Sequence, residues 1–222
     1  MNIQNILYAL PGIIIGLTVH EYCHAMAAHK LGDNTARDQG RLTFNPLKHL
    51  DPIGMAFIVF AGFGWAKPVQ FNPDNLRYLR RDKAIIAAAG PLSNLLLALF
   101  FVALVRVWLS ILASASDAGE METVSFLVSE NFLVAVNVIL RAAAINIGLF
   151  VFNLFPIPPL DGSHIVFSGL NLPLELQQRI MKVGMPVLFL IIIIQNQTNV
   201  TILPIGALVS AILRFFLPQL TF

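Results

Sequence analysis

The sequence predicts an all-α polytopic membrane protein with about four to six transmembrane helices. Of its 222 residues, 57% are hydrophobic and only 12% are charged, whereas a soluble domain averages roughly 45–50% apolar and about 25% charged residues. The apolar residues also form long runs, which leave too few polar residues to cover a soluble fold of this size. The lipid bilayer is therefore the expected environment, and residues 1–222 are expected to form a single membrane-embedded domain.

Four apolar regions can each supply one or more spans, since a spanning helix needs about 20 mostly apolar residues. They lie at about 6–28, 84–112, 131–155 and 180–217. The first has no basic segment before it and no small-residue cleavage site after it, so we expect it to stay in the mature protein rather than leave as a signal peptide. The last is interrupted by polar residues from Gln195 to Asn199, which leaves a helical hairpin and a broken helix as alternatives.

A shorter apolar run lies between the first and second regions. It extends from Ile53 to Ala66, is rich in glycine and aromatic residues, and is too short to cross a bilayer. Irregular backbone at membrane depth is tolerated only where protein or water covers it. The sequence therefore predicts a re-entrant or β-hairpin segment near 53–70.

The charged residues predict how the chain is oriented. The connection over residues 29–83 is basic and contains Lys30, Arg37, Arg41, Lys48, Lys67, Arg77, Arg80, Arg81 and Lys83. The connection over residues 113–130 carries only acidic charges. By the positive-inside rule, 29–83 is predicted to be cytoplasmic and the N-terminus to lie outside. The expected location is the plasma membrane of a prokaryote.

Composition also excludes several classes of function. The single cysteine, Cys23, excludes an intramolecular disulfide and a cysteine-based zinc cluster. The formal net charge of +2 is explained by the basic connections between apolar regions, so no nucleic-acid partner is expected. No appended peptide-binding or regulatory module, such as a PDZ or CBS domain, is evident in the sequence.

The first apolar region ends in a pattern typical of metal-dependent hydrolysis, His20-Glu21-Tyr22-Cys23-His24. At 3.6 residues per turn the two histidines lie one turn apart on one helical face, so two imidazole nitrogens can meet one metal ion. Glu21 can then take a proton from an activated water, as in HExxH metalloproteases. Chance matching in a helix that turns polar near its end is the competing interpretation.

A catalytic zinc usually takes three protein ligands, so a third must come from elsewhere in the chain. Asp161 is the leading candidate because it follows a proline-rich interruption after the third apolar region, and the predicted topology places it at the same depth as His24. On the residue pattern alone, an ordinary loop aspartate is the simpler interpretation. Asp51 and Asp74 are the alternative carboxylates.

Two segments resemble the signature motifs of site-2 proteases, polytopic zinc enzymes that cut peptide bonds within membranes. They are HEYCHA at 20–25 and FNLFPIPPLDG at 152–162, and AGPLSN at 89–94 and GWAKPV at 64–69 resemble further elements of the family. The resemblance implies one zinc ion per chain held by His20, His24 and Asp161, with Glu21 as the general base. It also implies a substrate or oxyanion contact for Asn94, for which interhelical hydrogen bonding is the alternative.

The resemblance implies an intramembrane zinc metalloprotease, acting in regulated intramembrane proteolysis or in clearance of signal-peptide remnants. Its expected partners are a single-span membrane protein or a signal peptide as substrate, the lipid bilayer and a regulatory membrane protein. A membrane metal transporter or a metal-binding scaffold without proteolysis is the alternative. Glu21 discriminates between them, because only hydrolysis requires a base beside the metal ligands.

Overall fold

The computed structural model describes residues 3–61, 64–198 and 200–220, and the regular structure of this part of the chain is mainly α-helix. Short 3-10 turns lie at Pro46–Lys48 and Pro73–Asn75. The α-helices, in chain order, are α1 (Ile3–Lys30), α2 (Thr35–Asp38), α3 (Pro52–Ala61), α4 (Leu79–Asp117), α5 (Met121–Leu127), α6 (Glu130–Asn153), α7 (Asp161–Gly169), α8 (Leu174–Gln197) and α9 (Ile205–Phe216).

Among the described residues, α1, α4, α6 and α8 are long and apolar enough to cross a membrane. They correspond to the four predicted apolar regions, so the chain is an integral membrane protein. The predicted region 180–217 divides into α8 and the 12-residue α9. At 1.5 Å per residue α9 is about 18 Å long, which is shorter than the roughly 30 Å hydrocarbon core.

Helices α1, α4 and α6 form the centre of the molecule. The largest apolar core combines residues of α4 and α6 with Leu213 of α9. Helix α8 lies at the periphery, where Leu188 packs with Leu160 and Leu203 and Gly184 lies against Pro158. The chain thus has a tight bundle of three helices with α8 attached beside it.

The contact between α1 and α6 depends on small residues. A Cβ atom added at Gly12 would lie 2.6 Å from the Cα of Ala142, and one added at Gly16 would lie 2.7 Å from the side-chain oxygen of Asn146. Small residues let helix backbones approach closely in a membrane, where packing and hydrogen bonds drive helix association.

The segment near 53–70 begins as a helix, and a β-hairpin there is not confirmed. Asp51 accepts a hydrogen bond from the Gly54 amide at 2.8 Å, and Pro52 occupies the first position of α3, a common arrangement at helix starts. After residues 62–63, which lie outside the described residues, the chain continues without helix to residue 72, with one bridge between Leu50 and Ala66. Helix α3 has 10 residues and is about 15 Å long, too short to span.

We expect the Gly12→Ala substitution to destabilise the bundle, because the added methyl overlaps the backbone of α6. Overpacking of this kind typically costs about 1–3 kcal/mol. The matched control is Gly148→Ala on α6, where the added Cβ would meet its nearest neighbour, Val209, at an ordinary 3.8 Å. Thermal unfolding in detergent should show a lower midpoint for the first variant and an unchanged or higher one for the second. Equal midpoints would contradict the proposed close packing.

Candidate functional site

The C-terminal third of α1 presents three buried ionisable side chains to the centre of the bundle. The exposed fractions of His20, Glu21 and His24 are 5%, 7% and 8%. The Nε2 atoms of the two histidines lie 3.0 Å apart, as the spacing of one helical turn predicts. Both rings therefore point at one place beside α1.

A carboxylate reaches the same place from the start of α7. The Oδ2 atom of Asp161 lies 3.2 Å from His20 Nε2 and 3.4 Å from His24 Nε2. Proline residues lie in the loop between α6 and Asp161, where they prevent the helix from continuing. Gly162 lets the start of α7 lie against the residues after α6, because a Cβ atom there would lie 2.3 Å from the Leu154 carbonyl oxygen. The three side chains form a group that could hold a metal ion.

The outer nitrogen of each imidazole is held by α4. His24 Nδ1 lies 2.7 Å from the Ile86 carbonyl oxygen, which can only accept, so Nδ1 donates and Nε2 carries the free lone pair. His20 Nδ1 lies 2.6 Å from Asn94 Oδ1. Metal-binding histidines typically have their second nitrogen held in this way, which fixes the orientation of the ring.

Glu21 is held by the non-helical segment that follows α3. Its Oε2 atom accepts a hydrogen bond from the Val69 amide at 2.9 Å and lies 4.0 Å from Arg41 Nη2. The Arg41 guanidinium in turn donates to the carbonyl oxygens of Lys67, at 2.5 Å, and Pro68, at 3.3 Å. Arg41 thus links the carboxylate to the backbone beside it.

These groups line a cavity of about 340 Å³. Its wall includes the four side chains described above, which are His20, Glu21, His24 and Asp161. It also includes Lys83 and His164 and several apolar residues, among them Leu17, Leu149 and Phe152. Cavities of this size that combine apolar walls with a few converging polar groups are the usual form of a ligand site.

Burial and charge act in opposite directions on Asp161. Burial raises the pKa of its carboxyl, but the contacts with His24 and His20 outweigh burial and hold that pKa well below its usual range. The carboxyl is therefore ionised, which is the form that binds metals. The pKa of His164, in the same cavity, lies below its ordinary value because the ring is buried, so His164 is neutral at pH 7.

The other predicted residues lie elsewhere. The Asn94 side chain is fully buried behind His20 and is not among the residues that line the cavity. Asp51 lies just before α3 and accepts a hydrogen bond from its first turn, and Asp74 lies in a 3-10 turn, so neither joins the histidines. Sequence reasoning missed the Val69 amide and the Ile86 carbonyl, since a backbone group gives no signal in residue type. It also missed Arg41, which counted only as one of the basic residues of the 29–83 connection.

The sequence matches one protein family and several known proteins. The sequence model of peptidase family M50 matches residues 8–195. YwhC of Bacillus subtilis strain 168, named as a candidate zinc metalloprotease, is 39% identical over 159 residues, which are 72% of this chain and 67% of that protein. No solved structure matches the chain.

Mycobacterial relatives called Rip2 are also named as candidate zinc metalloproteases. The Rip2 of Mycolicibacterium smegmatis is 30% identical over 176 residues, and that of Mycobacterium tuberculosis H37Rv is 28% identical over 172 residues. The aligned residues cover 58% and 59% of those proteins, so the match extends over little more than half of their length. The family match, by contrast, extends over most of this chain, which belongs to peptidase family M50, the family of site-2 proteases.

Proposed function

We propose that this chain is an intramembrane zinc metalloprotease in which His20, His24 and Asp161 hold one zinc ion and Glu21 is the general base. The observation that carries the proposal is the convergence of three ligand atoms from α1 and α7, separated by 3.0, 3.2 and 3.4 Å. Membership in a peptidase family favours hydrolysis over the transporter and scaffold alternatives, which no finding supports.

The spacing of the three atoms fits zinc. With metal–ligand distances of about 2.0–2.1 Å, tetrahedral geometry places ligand atoms about 3.3–3.4 Å apart. The buried Asp161 Oδ2 makes no hydrogen bond within the described structure, although two Nε2 atoms lie within 3.4 Å. Three lone-pair atoms at these distances repel one another unless a cation lies between them, so this group of donors is suited to a bound metal.

The packing of α4 also leaves room for both imidazoles. A Cβ atom at Gly90 would lie 2.4 Å from His24 Nε2 and 2.6 Å from His20 Nε2. Glycine is thus the residue that permits both imidazoles to converge against α4.

When bound, zinc polarises a substrate carbonyl and makes water a better nucleophile. Glu21 takes the proton of the attacking water and passes it to the leaving amine. Because Oε2 is engaged by Val69 and faces Arg41, whereas Oε1 accepts no hydrogen bond from the described residues, Oε1 is the atom that moves the proton. The Val69 amide fixes the orientation of this carboxylate.

The substrate we propose is a single-span membrane segment or a signal-peptide remnant. A second cavity, of about 630 Å³, lies next to the first and shares Leu17, Gly64, Leu149 and Phe152 with it. Its other walls are mainly aliphatic, from α1, α6, α8 and the segment before α9. An apolar stretch of substrate can occupy it while the adjacent peptide bond, locally unwound, reaches Glu21.

We also propose how the chain lies in the membrane. Helix α3 and residues 64–72 act as a re-entrant segment whose extended backbone faces the substrate. The basic connection over 29–83 is cytoplasmic, the N-terminus lies outside, and residues 1–222 act as one domain. The three relatives reported above are all bacterial, which supports a prokaryotic plasma membrane. A further membrane protein is proposed to regulate access.

The Glu21→Gln variant tests the central proposal, because it removes the base and keeps the metal ligands. We expect cleavage of a generic single-span substrate in detergent to fall about 10²–10⁴-fold, with the zinc content unchanged. The control is His24→Ala, which should lose both zinc and cleavage. Equal cleavage by wild type and Glu21→Gln, with zinc in both, would contradict hydrolysis through Glu21.

The Gly90→Ala variant tests the metal site without reference to activity. Its methyl group must displace both imidazoles, so we expect zinc affinity to fall at least about tenfold, or about 1.4 kcal/mol. Gly206→Ala is the control, since nothing lies within 4 Å of the Cβ it would add. Zinc titration against a competing chelator measures both variants. Wild-type affinity in Gly90→Ala would show that the metal binds elsewhere.

The Val69→Pro variant tests the support of Glu21 by the backbone. It removes the N–H group that bonds Oε2, and a hydrogen bond to a charged group is worth about 1.5–3 kcal/mol. We expect cleavage to fall about 10–100-fold while zinc stays bound. Gln70→Pro is the neighbouring control, because no hydrogen bond from its amide is found among the described residues. Similar rates in the two variants would refute this role of Val69.

A further inference from the structure

Two buried asparagines connect the histidine cluster to the helix bundle. Asn94 Nδ2 donates to the Gly16 carbonyl at 3.1 Å and to Asn146 Oδ1 at 3.0 Å. Asn146 Nδ2 donates to the Ala142 carbonyl at 2.8 Å and to the Gly12 carbonyl at 3.4 Å. Both asparagine side chains have an exposed fraction of 0%. This chain of hydrogen bonds runs through α6, α4 and α1 and ends at His20.

The donor and acceptor of every hydrogen bond in this series follow from the backbone carbonyls that take part in it. A carbonyl can only accept, so Asn146 must turn its NH₂ group toward Ala142 and Gly12 and its oxygen toward Asn94. Asn94 then directs its own NH₂ group to Asn146 and Gly16 and its oxygen to His20. His20 Nδ1 must therefore carry the proton, and Nε2 keeps the lone pair that faces Asp161.

Close packing holds this arrangement in place. A Cβ atom on Gly16 would lie 2.7 Å from Asn146 Oδ1, so α1 lies directly against the amide. Within a dry bundle an asparagine that loses one partner has no water to replace it. The Asn146 side chain therefore has one orientation that satisfies all of its neighbours.

We propose that Asn146 is a positioning residue, which acts through Asn94 to hold His20 in the tautomer that presents Nε2 to the metal. This inference rests on the proposed zinc site and assigns a role that the residue pattern alone does not reveal. It also gives Asn94 a different role from the predicted oxyanion contact. Both amide protons of Asn94 are donated inside the bundle, which leaves neither for a substrate oxygen.

A purely structural role for Asn146 is the competing explanation. The two explanations differ in how the variants combine. If Asn146 acts through Asn94, its loss adds nothing once Asn94 is gone, whereas independent packing effects add. They differ also in the metal site, because a packing defect lowers stability without changing metal affinity.

The test measures cobalt(II) binding in detergent by visible absorption, with a competing chelator, so that no cleavage is needed. We expect Asn146→Ala and Asn94→Ala each to weaken cobalt binding about 10–100-fold, the usual effect of losing a partner behind a metal ligand. The double variant should bind no more weakly than Asn94→Ala alone.

Asn137→Ala is the matched control, since Asn137 also lies on α6 and donates to a carbonyl four residues earlier, that of Leu133, but is exposed. It should bind cobalt as wild type does. Unchanged affinity in Asn146→Ala, or additive losses in the double variant, would overturn the proposal. If the His24→Ala variant bound cobalt as tightly as wild type, the zinc site itself would be refuted. This outcome separates failure of the proposed function from failure of this inference.

Discussion

The structure depends on one constraint, which is that a group of ionisable side chains buried in an apolar bundle must find its partners within the protein. Water is absent from the hydrocarbon core, and an unsatisfied polar group there costs several kcal/mol. His20, Glu21 and His24 have exposed fractions below 10%. Each neighbouring element supplies what they lack: α4 gives a carbonyl and an amide side chain, α7 gives a carboxylate, and the segment after α3 gives an N–H group.

These partners are within reach only because the helices approach closely, and glycine permits the approach. Gly12 and Gly16 bring α1 against α6, while Gly90 brings α4 against the two imidazoles. Packing and chemistry are therefore inseparable at this site, since the glycine that allows helix contact also makes space for the histidines. Peripheral α8 is attached by fewer buried apolar residues and lines the second cavity.

Much of this arrangement could be predicted from the sequence, and the rest could not for identifiable reasons. The spacing of His20 and His24 fixes their shared face, and long apolar runs predict the four candidate spans. The Asp51-Pro52 pair is a recognisable helix start, yet glycine and aromatic content favoured an irregular segment there. Backbone groups such as the Val69 amide leave no trace in residue type. The role of Asn146 depends on which helices are neighbours, which only the three-dimensional structure provides.

The two neighbouring cavities meet requirements that oppose each other. Hydrolysis needs water and ionised groups, whereas the membrane-spanning substrate proposed above would arrive from lipid and keep its apolar side chains out of water. The wall of the first cavity includes Glu21, Lys83 and His164. The second cavity is lined by aliphatic side chains of α1, α6 and α8. Leu17 and Phe152 belong to both. In the proposed binding mode, a substrate lying across this boundary leaves its apolar part in the second cavity while its unwound peptide bond meets water beside Glu21.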